Sequence, residues 1–404
     1  MFKKILKSYD YSLILVVVLL SLFGLVMIYS SSMVTAIQRY GYESDHFYDR
    51  QKLFLIGGAV LFLFFSLFPY KIMLSNRFLI PIVLLSFTLL IFIFPFGHSA
   101  GNAQSWYKIG PISLQPSEFV KVSVIVYLSA VYAKKQSYIN QFNHGVLPPL
   151  AFIIIVCFLI ALQPDFGTAA LIVAISGIII ISSGMNIKNI GKLVMLGAVP
   201  SIPLLILFKD KIFSSVRVGR FEAFMNPFAE EIAQKEGYHM VNSFLALGAG
   251  GIKGLGLGQS VQKLGYLPEP HTDFIMAVIS EELGVLGVAF VLFGLGFIVL
   301  KGIYIGLKSK DAFGSLLAIG ISGMVGIQSF VNLAGVSGVI PLTGVPLPFI
   351  SYGGSSILQL SISMGILVNV SMFVNYEKKY KDTDSKKAET FTSTNRFEGF
   401  QIRK

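Results

Sequence analysis

Runs of mostly apolar residues, each close to the ~20 that a helix needs to cross a bilayer, follow one another along the chain. They centre on residues 11–30, 53–69, 78–96, 117–133, 146–163, 167–184, 191–208, 274–303, 312–337 and 352–374. This pattern predicts an all-α membrane protein of about ten transmembrane helices. Short polar stretches join most of the runs. The exception lies between the seventh and eighth, where residues 209–271 form a connection of about 60 residues, far beyond the usual loop length and therefore expected to be functional. After Asn375 the chain turns polar and charged, the composition of a disordered end.

Charge placement assigns sidedness. With the N-terminus inside, the N-terminal tail, the inner loops and the C-terminal tail hold 20 of the 32 Lys and Arg residues. The short outer loops hold Arg39, Arg50, Lys52 and Lys108. Both termini are expected to be cytoplasmic, which makes the loop at about 209–271 extracellular. Its own cations do not conflict, because long loops cross largely regardless of charge. The organisation expected is one membrane domain over residues 1–375 and a disordered cytoplasmic tail over 376–404.

Composition narrows the class. Hydrophobic residues make up 54% of the chain and charged residues 13%, about half the charged share of a soluble domain. The net charge of +11 would suit nucleic acid, but its placement follows membrane orientation, so no nucleic-acid partner is expected. Cys157 is the single cysteine, and the five histidines lack ligand spacing. Neither a disulfide within the chain nor a Cys- or His-built metal site is predicted. The basic N-terminus runs into an apolar stretch long enough to span, which reads as an uncleaved first helix.

Candidate chemistry concentrates on the outer side, in "SWYKIGPISLQPSEFVK" (105–121), "LQPDFGTA" (162–169), the long loop, "PEPHTDFIMAVISEELG" (268–284) and "PLTGVPLPFISYGGSS" (341–356). Glu118 and Lys121 share a helix face, either as a self-neutralising pair or as the wall of a polar cavity. Asp165 reads best as the N-cap of the sixth span. "GAGGIKGLGLG" (248–258) fits no phosphate-loop register and reads as a flexible loop. Trp106 reads as an interfacial anchor. The prolines and glycines of 341–356 forbid a regular helix, and irregular backbone at that depth must be buried or line a wet cavity. Asp273 stands above the uninterrupted apolar run that begins at Leu283. Glu281 and Glu282 lie two turns deeper, too far along a helix to act with Asp273 on one atom. They are expected to balance cations or amides of neighbouring helices.

Together "QPSEFVK", "LQPDFGTA", "GYHMVNSFLALGAGGIKGLGLG", "LPEPHTDFIMAVISEELG" and "PLTGVPLPFISYGGSS" resemble the SEDS family (shape, elongation, division and sporulation), the FtsW/RodA/SpoVE group of bacterial cell-wall proteins. The resemblance covers roughly residues 10 to 375. "YSSSM", "FYDRQ" and "YLPEPHTDF" look most like its division-type branch in Gram-positive bacteria. One departure is Ser105, where the family often carries an arginine before the tryptophan.

The resemblance implies a peptidoglycan glycosyltransferase that polymerises lipid II into β-1,4 glycan at the outer membrane surface, for septal wall synthesis. The family's catalytic aspartate maps onto Asp273. Candidates for contact with substrate are Glu118, Lys121, Arg217, Arg220, Lys253, Lys263, His271 and Ser351. The cofactor expected is a divalent cation, Mg or Mn, with no organic group. Expected partners are lipid II, a class B penicillin-binding protein, other divisome membrane proteins and membrane lipids. Alternatives are an elongation- or sporulation-type polymerase, a flippase for lipid-linked precursor, or a scaffold for a transpeptidase. The one-sided clustering of polar motifs favours chemistry; a flippase should carry charge at the midplane.

Overall fold

The computed structural model describes residues 2–100, 103–110, 112–141, 147–207, 209, 214–235 and 237–381. Within hydrocarbon a chain must satisfy its backbone polar groups internally, and the apolar runs do so as helices. A short α1 (Phe2–Leu6) precedes α2 (Tyr11–Tyr40), α3 (His46–Leu67), α4 (Asn76–Phe96) and α5 (Pro116–Lys134). Then come α6 (Leu147–Leu162), α7 (Phe166–Ser182) and α8 (Ile187–Leu207). The long connection contains α9 (Ser215–Met225), α10 (Glu230–Ala233) and α11 (Tyr238–Ala249). Finally α12 (Ile275–Lys308), α13 (Ala312–Val336) and α14 (Gly354–Tyr376) complete the bundle.

A helix stands at every apolar run. Seven described helices, α2–α5 and α12–α14, are long and apolar enough to span a membrane; α6 and α7 are shorter apolar helices. Large side chains such as Leu53, Val60 and Leu63 on α3, Leu84 on α4, and Phe293 and Leu300 on α12 face outward. So much exposed apolar surface suits a lipid environment rather than water. Polar side chains turn inward instead. Asn369 of α14 donates to Ser66 O at 2.7 Å and accepts from Tyr70 N at 3.0 Å.

Both ends of the described chain meet at one end of the bundle. Asn375 Nδ2 donates to Ser8 O at 3.1 Å, and Lys379 Nζ to Lys7 O at 2.9 Å. Residues 377–381 thus continue α14 as an ordered turn, correcting the expectation that disorder begins at 376. The rest of the expected tail lies outside the described residues.

Two further features depart from expectation. Between α4 and α5 the chain forms an antiparallel sheet of β1 (His98–Ala100), β2 (Ala103–Ile109) and β3 (Ile112–Leu114), in that order. Second, the glycine run 248–258 is no loose loop; it packs backbone to backbone on the first turns of α12. A break at Gly284 (φ 60°, ψ −155°) interrupts the α12 ladder, and the freed carbonyls need other donors. Leu255 N donates to Glu281 O and Gly256 N to Glu282 O, both at 2.9 Å, while Val285 N reaches Gly251 O at 3.1 Å. Only glycine allows this approach: a Cβ at Gly250 would collide with the Ser280 carbonyl.

Candidate active site

Asp273 lies at the end of the bundle opposite the chain termini, in the turn that leads into α12. That turn is fastened from three sides. Ser351 Oγ donates to Thr272 O at 2.7 Å and accepts from Leu347 N at 2.8 Å. Tyr352 N donates to His271 O at 2.9 Å. Asn332, buried on α13, donates to Asp273 O at 3.0 Å and to Val345 O at 2.8 Å. The proline-rich segment 341–353 and the Asp273 turn are therefore one rigid assembly. Ser351, a candidate for substrate contact, is instead a clasp within it.

A fourth restraint comes from α2. Glu269 adopts φ 52°, a conformation that costs a non-glycine residue energy and persists only where the surroundings impose it. Its carboxylate accepts from Tyr40 Oη at 2.7 Å and pairs with Arg39 at 3.1 Å. The peptide carbonyl of Glu269 accepts from Thr272 Oγ1 at 3.0 Å.

The Asp273 carboxylate is shared by two clefts, divided at Gly344, which borders both. The first has a volume of about 210 Å³. Its polar wall is formed by Trp106, Gln115, Glu118 and Asp165, with Ser355 and Ser356 of α14. Gln115 Nε2 donates to Asp165 Oδ2 at 3.1 Å, and Asp165 Oδ1 caps α7 by accepting from Thr168 N at 3.1 Å. Glu118 pairs through Oε1 with the buried Lys121 ammonium at 2.8 Å, leaving Oε2 buried without a hydrogen-bond partner. The pair neutralises itself, and the Glu118 residue also borders the first cleft.

The second cleft, about 360 Å³, is bordered by Arg39, Arg220, His239, Glu269 and Asp273. Arg220 forms no ion pair among the described residues; its guanidinium reaches only Leu342 O, at 3.4 Å. Burial, with Arg220 and Arg39 nearby, holds the His239 ring below the ordinary histidine range, so it is neutral at pH 7.

Burial, reinforced by the negative charge of Glu269 and opposed by Arg220, raises the Asp273 carboxyl to about 6. A carboxylate poised there is ionised at neutral pH, yet basic enough to take a proton in a reaction.

Several residues expected to meet substrate serve the scaffold. Lys263 is buried, its ammonium 2.6 Å from Glu282 Oε1 and 2.9 Å from Ser30 Oγ. Glu281 accepts from Ser260 Oγ and, at 2.9 Å, from Val261 N, so both deep glutamates are structural, as their helical spacing implied. Lys253 is exposed on the glycine run and borders neither cleft. His271 is buried between the rings of Phe47 and Tyr352, with centroids 4.2 and 5.6 Å away. Burial drives its imidazole down to about 4, so it fills an aromatic box as a neutral ring. Arg217 braces the turn before α7, donating to Pro164 O at 2.9 Å and lying over the Phe166 ring. Of the candidates, Asp273, Glu118 and Arg220 line the clefts.

Sequence reasoning missed Trp106, Gln115, Arg39 and Glu269 as cleft residues. The β-sheet turns Trp106 toward the first cleft, where a membrane anchor was expected. Among the described residues no three His, Cys, Asp or Glu side chains converge as a metal site.

The FtsW/RodA/SpoVE family model, described as "Cell cycle protein", matches residues 10–376. A Bacillus subtilis (strain 168) protein named "Probable peptidoglycan glycosyltransferase FtsW" is 58% identical over 384 residues, covering 94% of this chain and 95% of the relative. "Stage V sporulation protein E" of the same organism is 34% identical over 370 residues, 91% of this chain and 98% of its own. Among solved structures, a chain from a peptidoglycan synthase complex superposes with a TM-score of 0.70 at 22% identity, covering 91% of this chain and 98% of that one. The rod shape determining protein RodA of Thermus thermophilus gives 0.63 at 22% identity, covering 92% and 98%. The two structures agree with the bundle in fold, and the sequence match carries the kinship: this chain belongs to the FtsW/RodA/SpoVE family of cell cycle proteins.

Proposed function

We propose that this multi-pass membrane protein is a peptidoglycan glycosyltransferase that polymerises lipid II, with Asp273 as general base. The observation that carries this reading is the Asp273 carboxylate, raised to about 6 and placed where two clefts meet. In an inverting transfer the acceptor 4-hydroxyl attacks the anomeric carbon of the donor. The new C–O bond forms as the bond to pyrophosphate breaks, the leaving group keeps that electron pair, and Asp273 takes the hydroxyl proton. Arg220 is placed to offset the charge that develops on the leaving group.

A divalent cation, Mg or Mn, would arrive on the substrate pyrophosphate. Magnesium commonly binds through one or two carboxylates plus phosphates, and no three-ligand protein site exists among the described residues. The flippase reading has less support, because no Asp, Glu, Lys or Arg lies in the central turns of the described long helices.

The division role rests on 58% identity to the Bacillus subtilis FtsW, against 34% to the sporulation protein. A class B penicillin-binding protein is the proposed partner. A chain of the same fold comes from a complex that coordinates polymerization and crosslinking. Other divisome membrane proteins and the septal membrane complete the proposed setting, with both termini cytoplasmic and the clefts outside.

The test is polymerisation of lipid II by the purified chain with its penicillin-binding partner. Wild type should make glycan and Asp273→Asn should lose about 10²–10⁴-fold of the rate. Equal rates would remove the base assignment. Transfer of lipid II across vesicles without any glycan would establish the flippase instead.

A further inference from the structure

The two clefts differ in charge. Among the described residues, every cationic side chain that borders either of them, Arg39 and Arg220, lies in the second, beside the neutral donor ring of His239. The first has no cation on its wall among the described residues. It carries instead a tryptophan ring, the amide of Gln115, the carboxylate of Asp165 and the Glu118 side chain. Carboxylates and amides accept hydrogen bonds from, or donate them to, sugar hydroxyls. An indole ring offers a flat apolar face to a pyranose. Phosphate oxygens, by contrast, would meet the Asp165 carboxylate as a like charge in the first cleft, whereas in the second Arg39 offsets Glu269 and the Arg220 guanidinium remains to match them.

The reaction geometry links this sorting to the two substrates. The donor's pyrophosphate is bonded to the very carbon that is attacked, so it must lie next to the base. The acceptor's own pyrophosphate is a disaccharide away from its reacting hydroxyl. We infer that the donor's lipid pyrophosphate binds in the Arg39–Arg220–His239 cleft, and that the acceptor's terminal sugar binds in the Trp106–Gln115–Glu118–Asp165 cleft. The inference rests on the proposed transfer reaction and adds to it the direction in which the glycan is built through the site. Arg39 is shared with Glu269 at 3.1 Å, so Arg220 is the principal anion contact. Lys121 neutralises Glu118 behind the wall of the first cleft, so Gln115 and Asp165 are the principal sugar contacts.

Binding of two soluble probes to the full chain in nanodiscs tests this without requiring turnover. Farnesyl pyrophosphate stands for the donor's lipid pyrophosphate, and the N-acetylglucosaminyl–N-acetylmuramic acid disaccharide for the acceptor's sugar end. Trp106 is the only tryptophan, so its emission reports occupancy of the first cleft directly; farnesyl pyrophosphate binding is followed by equilibrium dialysis.

Arg220→Ala should weaken farnesyl pyrophosphate by about tenfold or more, a loss of about 1.4 kcal/mol, and leave the disaccharide unchanged. Arg220→Lys should recover part of the loss. Gln115→Ala should weaken the disaccharide and leave farnesyl pyrophosphate unchanged. Each variant's retained probe is its own control for folding. The inference is overturned if both variants weaken the same probe, if neither weakens any, or if the disaccharide leaves Trp106 emission unmoved. Competition by phosphatidylglycerol vesicles as potent as that by inorganic pyrophosphate would also overturn it, by marking a general anionic-lipid surface. Glycan synthesis measured in parallel separates the outcomes: normal polymerisation with unsorted probes defeats only this inference, whereas sorted probes without polymerisation defeat the proposed activity.

Discussion

Asn332 holds Asp273 through the backbone: one side-chain amide, from the last turns of α13, bridges the carbonyls of Asp273 and Val345 at 3.0 and 2.8 Å. Asn332→Ala strands two buried acceptors, which costs about 1–3 kcal/mol each where no water replaces the donor. It also frees the Asp273 turn from the proline-rich segment. Polymerisation should fall on the order of 100-fold, the scale of a 1 Å misplacement, with a lowered unfolding temperature. Glycan yield on gels and thermal unfolding in detergent would measure the two effects.

Activity should rise with pH through about 6, as Asp273 loses its proton. One pH unit below that midpoint the rate should be about a tenth of its plateau. Glu269 raises the Asp273 carboxyl, whereas Arg220 lowers it. Glu269→Gln should therefore move the midpoint down and Arg220→Ala should move it up. A pH–rate profile of each variant checks both signs.

The same shift predicts a conflict between stability and activity. The folded-state value lies above the ordinary aspartate value of 3.8, so the carboxyl adds most to stability below pH 3.8, where it is protonated in both states. That contribution is lost as pH rises through about 6. At pH 7 the ionised carboxylate is a net cost. Asp273→Asn should unfold at a higher temperature than wild type at pH 7, with little difference at pH 3.5, while polymerising about 10²–10⁴-fold more slowly. A lower unfolding temperature at pH 7 would contradict the assignment.

Lys263→Ala would bury Glu282 beside Ser30 without its counter-ion. Breaking a buried pair from one side costs about 3–5 kcal/mol, so the single variant should fail to accumulate in membranes. The paired change Lys263→Met with Glu282→Gln should restore folding and most of the polymerisation. Recovery by the double variant separates a structural lysine from one that binds substrate.

Gly250→Ala and Gly284→Ala should both destabilise the outer segment. The first would push a methyl into the Ser280 carbonyl, and the second would impose φ 60° on alanine. The expected cost is about 1–3 kcal/mol for the strained backbone alone. Protease cleavage between residues 250 and 263 should accelerate in either variant.

The helices were legible because hydrocarbon leaves a chain few options, and apolar runs of the right length could hardly do otherwise. The cleft position of Asp273 was legible for a different reason: it stands above the first uninterrupted apolar residue, in one of the stretches that carry the resemblance. What could not be read were pairings between distant segments. Lys263 looked like a free outer cation because its partner, Glu282, becomes a neighbour only when the glycine run folds back onto α12. Arg39 and Glu269 lie 230 residues apart, and each alone resembles an ordinary surface charge. The β-sheet was hidden by strands of three to seven residues, too short for alternation to stand out. Asn332 had a signal that went unused, since an amide inside an apolar helix needs a buried partner.

The junction of Ser8 with Asn375 and of Lys7 with Lys379 makes the described bundle close to a ring. Residues 7 and 379 touch at the pole opposite the clefts, separated from Asp273 by something near the ~45 Å length of a 30-residue helix. A short linker could join them, and new ends could be opened in an exposed connection without changing which helices are neighbours. The order in which the helices are written is thus separable from the order in which they pack.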